Sequence, residues 1–162
     1  MMTLAVFSDS HGDIERMCAA ITAHRPDAVI FLGDVVADIE NVCRRFPELP
    51  YYIVRGNCDH GAPGYEDSLL LELEGVRLLC VHGHNHGVKW GLHSFSNSVW
   101  CAGATLGLYG HTHQPRWLEQ RGMQILNPGS IGSAQKPTYA LVELDAGKVN
   151  CRILDCTSAG GK

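Results

Sequence analysis

Seven oxygen and imidazole donors punctuate the chain: Asp9 and His11, Asp34, Asn57, His82, and His111 with His113. They sit in short polar segments that read Ser8-Asp-Ser-His-Gly12, Gly33-Asp34, Arg55-Gly-Asn-Cys-Asp59, His82-Gly-His84 and Gly110-His-Thr-His113, and each follows an apolar run. Burying carboxylates, an amide and imidazoles together is costly without compensating charge. One divalent cation takes about four to six such ligands, so seven donors plus water are rich for one ion and reasonable for two that share a carboxylate. Paired ions about 3.5–4 Å apart suit in-line displacement at phosphorus. Asp34, alone on its Gly-Asp loop, is the candidate bridge. Mixed nitrogen and oxygen ligation favours Mn, Fe, Zn, Ni or Co over Ca or Mg, and no thiolate is required.

Elements must bring these donors together. Leu4–Phe7 reads as a strand, and Asp13 as the N-cap of a helix carrying Ile14, Met17, Cys18 and Ile21 at helical spacing. Ala28–Leu32 is a wholly apolar strand suited to burial on both faces. Ile39, Val42, Cys43 and Phe46 predict a second helix, and Tyr51–Val54 a third strand. This β-α-β-α-β order is that of an α/β layered fold. Leu69–Leu73 and Val76–Val81 flank Glu74-Gly75 as a hairpin, and one short helix is expected within 85–104. Leu106–Tyr109, Trp117–Gln120, Met123–Leu126, Thr138–Leu144 and Val149–Leu154 complete the strands, with turns at Arg121-Gly122 and Asp145–Lys148. Ligands of α/β sheets gather beyond the carboxyl ends of strands, so the five polar loops should converge on one crevice. The two-residue spacing of Asp9 with His11, and of His111 with His113, would point each pair to one side in extended chain.

The composition bounds what such a site serves. The 162 residues predict a single domain over 1–162, with 158–162 as a frayed tail. The chain is 45% hydrophobic and 19% charged, without an apolar run of the ~18 residues a membrane span needs and without a signal-peptide pattern. A net charge of −4 and no basic cluster argue against a standing nucleic-acid partner. Seven scattered cysteines with no CxxC pair point to a reducing cytoplasm.

Taken in order, Asp9-x-His11, Gly33-Asp34, Gly56-Asn57-x-Asp59, His82-Gly-His84 and Gly110-His-x-His113 resemble the calcineurin-like metallophosphoesterase superfamily. The size resembles its small bacterial and archaeal phosphodiesterase branch, similar in fold to the retromer subunit Vps29, and the likeness covers residues 3–154. It implies a four-layer α/β/β/α sandwich with mixed sheets and two divalent metals, manganese foremost. By the family pattern Asp9, His11 and His113 hold one ion, Asn57, His82 and His111 the other, and Asp34 bridges them. The implied activity is hydrolysis of phosphodiesters by water that the metals activate for in-line attack, without a covalent intermediate.

At one place the sequence departs from the superfamily. The commoner Gly-Asn-His-Asp has a histidine thought to assist the leaving group, where this chain carries Cys58. A thiol is the poorer proton donor, so the general acid stays open among Cys58, His84 and His60, with His84 ahead of His60. Asp59 is a candidate beside it, either in catalysis or in orienting a neighbour or capping the next segment. Asn57 and His84 are candidates for contacting the phosphate. His24, His86 and His93 read as surface or loop histidines, and Asn127-Pro-Gly-Ser130 as a turn rather than an anion site. Trp90, Trp100 and Trp117 read as core or partly buried surface.

The expected partner is a small phosphate ester, with no membrane, and a homo-oligomer is left open by the sheet edges. Two other readings stand beside the phosphodiesterase: a protein-interaction scaffold of the Vps29 type, and a phosphomonoesterase or nuclease of the same superfamily. Loss of metal ligands would mark the scaffold, and here all seven positions carry competent donors.

Overall fold

Alternation along the first strand sorts its side chains into two layers. In the computed structural model, which describes residues 1–156, Leu4 and Val6 of β1 (Met2–Phe7) face one side, and Ala5 and Phe7 the other. All four are fully buried. β2 (Ala28–Phe31) repeats the pattern, which is why its sequence is apolar throughout. With β3 (Tyr51–Ile53), β9 (Thr138–Asp145) and β10 (Lys148–Asp155) these strands form a sheet of order β10-β9-β1-β2-β3. β1, β2 and β3 are parallel, while β9 runs antiparallel to both β1 and β10.

The second sheet has the order β4-β5-β6-β8-β7, from β4 (Ser68–Leu73), β5 (Val76–Val81), β6 (Leu106–Leu108), β7 (Arg116–Gln120) and β8 (Met123–Asn127). β5, β6 and β8 are parallel, and β4 and β7 pair antiparallel at the edges. Leu4, Val6, Ile30 and Val142 of one sheet meet Leu78, Cys80, Leu106 and Leu126 of the other in a shared apolar layer. The outer face of the first sheet is covered by α1 (Ile14–His24) and α2 (Val36–Arg45), whose Met17, Ile21, Ile39 and Val42 pack with Phe7 and Phe31. α3 (His93–Cys101) covers the second sheet through Phe95 and Val99 against Tyr109 and Ile125. The result is the α/β/β/α sandwich.

The elements stand where their patterns put them. Asp13 is the N-cap of α1, its carboxylate accepting the Arg16 amide at 3.0 Å. Three hairpins turn on pairs with positive φ at both central residues, Glu74-Gly75, Arg121-Gly122 and Ala146-Gly147, the turn form that matches strand twist. Segment 85–104 carries α3, preceded by a single 3-10 turn at His84–His86. Among the described residues no helix is long and apolar enough to cross a membrane. The expected frayed tail, 158–162, lies outside the described residues.

Candidate metal centre

The loops after β1, β2, β3, β5 and β6 meet at one end of the two sheets. Backbone bonds tie the first two loops together: the Asp9 amide donates to Gly33 O at 2.9 Å and the Ser10 amide to Asp34 O at 3.0 Å. Within the second sheet the Gly110 amide donates to His82 O at 2.8 Å, and between the sheets the His111 amide donates to Asp9 Oδ2 at 3.1 Å. Asp9, His11 and His113 thereby form one group of potential ligands, and Asp34, His82 and His111 a second, with the ligand atoms of each group within 4.8 Å of one another. Asn57 joins the second, its Oδ1 3.0 Å from His82 Nε2. All seven donors expected from the sequence are thus gathered. His82 links the groups, its Nε2 lying 3.5 Å from Asp34 Oδ2 and 3.8 Å from Asp9 Oδ1.

The way the pairs converge differs from the expectation. Asp9 and His11 are not in extended chain but at φ 54° and 42°, and His111 and His113 are at 70° and 60°. Asp34 sits at 53°. Left-handed backbone costs a non-glycine residue roughly 1–2 kcal/mol, so five such residues at one site require restraint from around them. Three polar side chains supply it. The Asp38 carboxylate, from α2, accepts the Ser10 hydroxyl and the Gly12 amide, both at 2.7 Å. The Asp59 carboxylate accepts the amides of Gly56 at 2.7 Å and of Asp34 and Val36 at 2.9 Å. Asn127 donates to Gly110 O at 3.1 Å and to the Thr112 hydroxyl at 2.9 Å, and accepts the Gly129 amide at 2.8 Å. Gly56 passes so close to the Asp34 carboxylate that a Cβ there would collide with it.

Several of these residues escaped the sequence reading. Asp38 carries no mark in the sequence, and Asn127 and Ser130 read as turn residues. Ser130 instead donates to Asp9 O at 2.8 Å, and Asn127 is fully buried. The available signal was position: Asn127 ends β8, which runs parallel to β6 and points at the same crevice. Asp59 does cap a helix, but the preceding one. α2 lacks a side-chain cap at Val35, and Asp59 takes the Val36 amide in its place.

Electrostatics and tautomer fit a cation. Asp9 is fully buried, and while its Oδ2 accepts from Ser8 at 2.5 Å, its Oδ1 has no hydrogen-bond partner. The imidazole Nε2 atoms of His113, His82 and His11 surround Oδ1 at 3.2, 3.8 and 4.0 Å. His82 Nδ1 lies 2.7 Å from Leu32 O, an acceptor only, so that nitrogen carries a proton and Nε2 is the atom left to offer a lone pair inward when the ring is neutral. Burial opposes the charge on His82, yet the adjacent Asp34 and Asp9 carboxylates outweigh it and raise its pKa. Burial also opposes the charge on Asp34, but His82 and the Cys58 amide, 2.9 Å from Oδ1, hold the carboxyl well below its usual range. His111 is pushed down to about 4 by burial and then by the charges of His82 and Lys89. His113 is raised by Asp9. Convergent lone pairs, an orphaned buried carboxylate oxygen and a mixed N/O donor set are what a divalent ion would satisfy.

The remaining candidates lie around this cluster. Cys58 is exposed beside Asp34, and partial desolvation of its thiol together with the Asp34 charge raises its pKa. His84 stands at the rim, its ring 5.5 Å from that of His82 and 6.2 Å from that of His111. It shares a depression with Asn57 and the exposed His60. His24 binds the Tyr139 hydroxyl at 2.8 Å, His86 packs edge-on to Phe95, and His93 lies beside Asn97 at 3.2 Å, so none of the three enters either ligand group. Trp90 overturns its expected placement: it is 94% exposed, because it sits in the Gly87–Gly91 loop rather than on a packed element.

Two facing sheets with N/O ligand groups at their strand ends define a metal-dependent phosphoesterase. The chain belongs to the calcineurin-like phosphoesterase superfamily, whose domain model matches residues 2–147. It is 33% identical over 160 residues to the probable metallophosphoesterase YsnB of Bacillus subtilis (strain 168), covering 95% of this chain and 91% of that one. A predicted phosphoesterase from Streptococcus pneumoniae TIGR4 superposes with a TM-score of 0.78 at 28% identity, over 96% of this chain and 90% of that one. Zinc-complexed Vps29 of Entamoeba histolytica superposes with a TM-score of 0.78 over 96% and 99% of the two chains; at 19% identity that likeness concerns the fold.

Proposed function

We propose that the chain is a dinuclear metal-dependent phosphodiesterase acting on small phosphate esters. The observation that carries this reading is the pair of adjoining donor groups joined through His82. Asp9, His11 and His113 would hold one ion, and Asn57, His82 and His111 the other. Asp34 would bridge, since one oxygen already accepts from Cys58 while the other faces His82. Divalent ions held there, manganese foremost, supply the Lewis acidity that makes water a nucleophile near neutral pH and that offsets phosphate charge.

The chain's own residues prepare that chemistry. Ser8 and the His111 amide fix Asp9 Oδ2 so that Oδ1 points inward. Leu32 O sets the His82 tautomer, and Asp59 holds the Asp34 loop by accepting its amide. Asn57 and His84 flank the depression that would receive the phosphate. In the reaction a water oxygen gives up a proton and bonds to phosphorus as the ester P–O bond breaks, and the departing oxygen gains a proton, so that water is added across the bond. Cys58, with its thiol pKa raised, is a weak donor of that proton. Leaving groups of low intrinsic pKa are therefore favoured, and diesters of that kind fit better than phosphomonoesters. Seven free thiols are consistent with work in a reducing cytoplasm.

The test is hydrolysis of bis-p-nitrophenyl phosphate by metal-stripped protein titrated with Mn²⁺, with metal content measured alongside. Two equivalents bound with metal-dependent turnover are expected. Asp34→Asn should lose both ions and lower turnover by more than about 100-fold. Retained metal and turnover in that variant would overturn the bridging role, and a single equivalent in the parent protein would overturn the dinuclear reading. No turnover with any divalent metal would leave the scaffold reading.

A further inference from the structure

A second cavity adjoins the metal centre on the side of the His111–His113 loop. It encloses about 570 Å³ and lies between the Val88–Gly91 loop and the segment from Thr112 to Arg116. Thr112 joins the two sites, because it stands between His111 and His113 and also lines the cavity. On the opposite wall Val88 packs under Gly83, the residue after His82, so the Val88–Gly91 loop is anchored beside the ligands.

The chemistry of the lining is specific. It holds Lys89 and Arg116 and no carboxylate, in a chain whose net charge is −4. Among the described residues neither cation is in an ion pair, a state they share with Arg25, Arg44, Arg121, Lys136 and Lys148; what sets these two apart is that both line one cavity. Beside them stands Trp90, 94% exposed and more so than either Trp100 or Trp117. Its backbone is held in a turn, the amide donating to Gly87 O at 2.9 Å. The cavity thus offers an open aromatic face and two uncommitted cations next to a site for phosphate.

We infer that this cavity is the subsite for one ester arm of the substrate, and that the arm carries an aromatic ring together with further phosphate, as nucleotides do. The inference rests on the phosphoesterase reading for the reaction at the metals, but the binding it describes does not. Trp90 stacks on the ring, which any base permits because every base has a π-face. Lys89 and Arg116 take the phosphate beyond the scissile one, Arg116 with its planar fork. Thr112 and Gln114 add neutral polar contacts along the path between them.

The probe is ADP, which carries both features, titrated into the full-length protein with and without Mn²⁺ while tryptophan fluorescence is followed. Quenching is expected in both conditions, with ADP binding more tightly than adenosine, which lacks charge, or pyrophosphate, which lacks a ring and is read by calorimetry. Trp90→Ala should abolish most of the quench and weaken ADP by about 10-fold or more. Lys89→Ala and Arg116→Ala should each weaken ADP by about 10-fold, leave adenosine unchanged, and reduce the loss of affinity caused by added salt. ADP binding that is no tighter than that of adenosine and pyrophosphate, or undiminished in all three variants, overturns the inference. Hydrolysis of bis-p-nitrophenyl phosphate on the same preparation separates the two readings. Turnover without ADP binding overturns the subsite alone. ADP binding without turnover keeps the subsite and overturns the phosphodiesterase reading.

Discussion

Cys58 occupies the place where the superfamily more often has histidine, and its geometry shows what an exchange would change. Its amide serves Asp34, while its exposed thiol accepts from Asn57 Nδ2 at 3.7 Å and is not itself among the atoms of either ligand group. Cys58→His therefore keeps the backbone bond and adds an imidazole whose proton is available near neutral pH. General acids contribute typically 10²–10⁴-fold, so even an imperfectly placed histidine should raise turnover of alkyl diesters by about 10-fold or more. Bis-p-nitrophenyl phosphate, whose leaving group needs little help, should respond much less. Equal rates for both substrates in the variant and the parent, with metal content unchanged, would show that leaving-group protonation does not limit this enzyme.

At the scale of elements, the ligand-bearing loops after β1, β2 and β6 are each braced by a side chain from another segment. Asp59 joins the loop after β3 to the loop after β2 and to the start of α2. Asp59→Asn leaves one oxygen and an NH₂ group to face three amides. Stranded buried donors cost roughly 1–3 kcal/mol each, so urea denaturation should show a loss of about 2–3 kcal/mol. Removing partners one layer outside the ligands typically costs 10–100-fold in metal affinity, and that range is expected here by titration of the metal-free variant. Asn127→Ala removes the support of the His111–His113 loop in the same way. It strands the Gly129 amide and takes one bond each from Gly110 O and the Thr112 hydroxyl, which keep the Thr112 and Gln114 amides, and should weaken metal binding by a similar factor while β8 itself still pairs with β6. A variant with parental metal affinity would show that the loop holds its left-handed turns unaided.

For the whole molecule, the ligand groups lie where two sheets meet, so a bound ion ties both halves of the sandwich together. Ligands that bind only the folded chain stabilise it by about 2.7 kcal/mol at a hundred times Kd. For a chain of this size each kcal/mol shifts Tm by about 2–4 °C, so saturating Mn²⁺ should raise Tm by roughly 5–10 °C. The rise should vanish in Asp34→Asn. An equal rise in that variant, read by calorimetry, would mean that the ion stabilises the fold from somewhere else.

Much of this protein was legible in its residue order. Hydrophobic periodicity marked the strands and helices, since an element must bury one face whatever its partners are. Polar loops after apolar runs located all seven donors, because the parallel strands of such folds present their carboxyl ends together. What the tertiary structure decided are relations between segments distant in the chain. The left-handed turns at Asp9, His11, Asp34, His111 and His113 are braced by bonds to Asp38, Asp59 and Asn127, of which the sequence leaves Asp38 unmarked and reads Asn127 as a turn. Asp38 lies 28 positions from Ser10 and Asn127 lies 17 from Gly110, so no local pattern links them. Trp90 was misplaced for the same reason. Its type predicts burial, but whether a large aromatic is buried depends on what the fold brings over it, and the fold brings an open cavity.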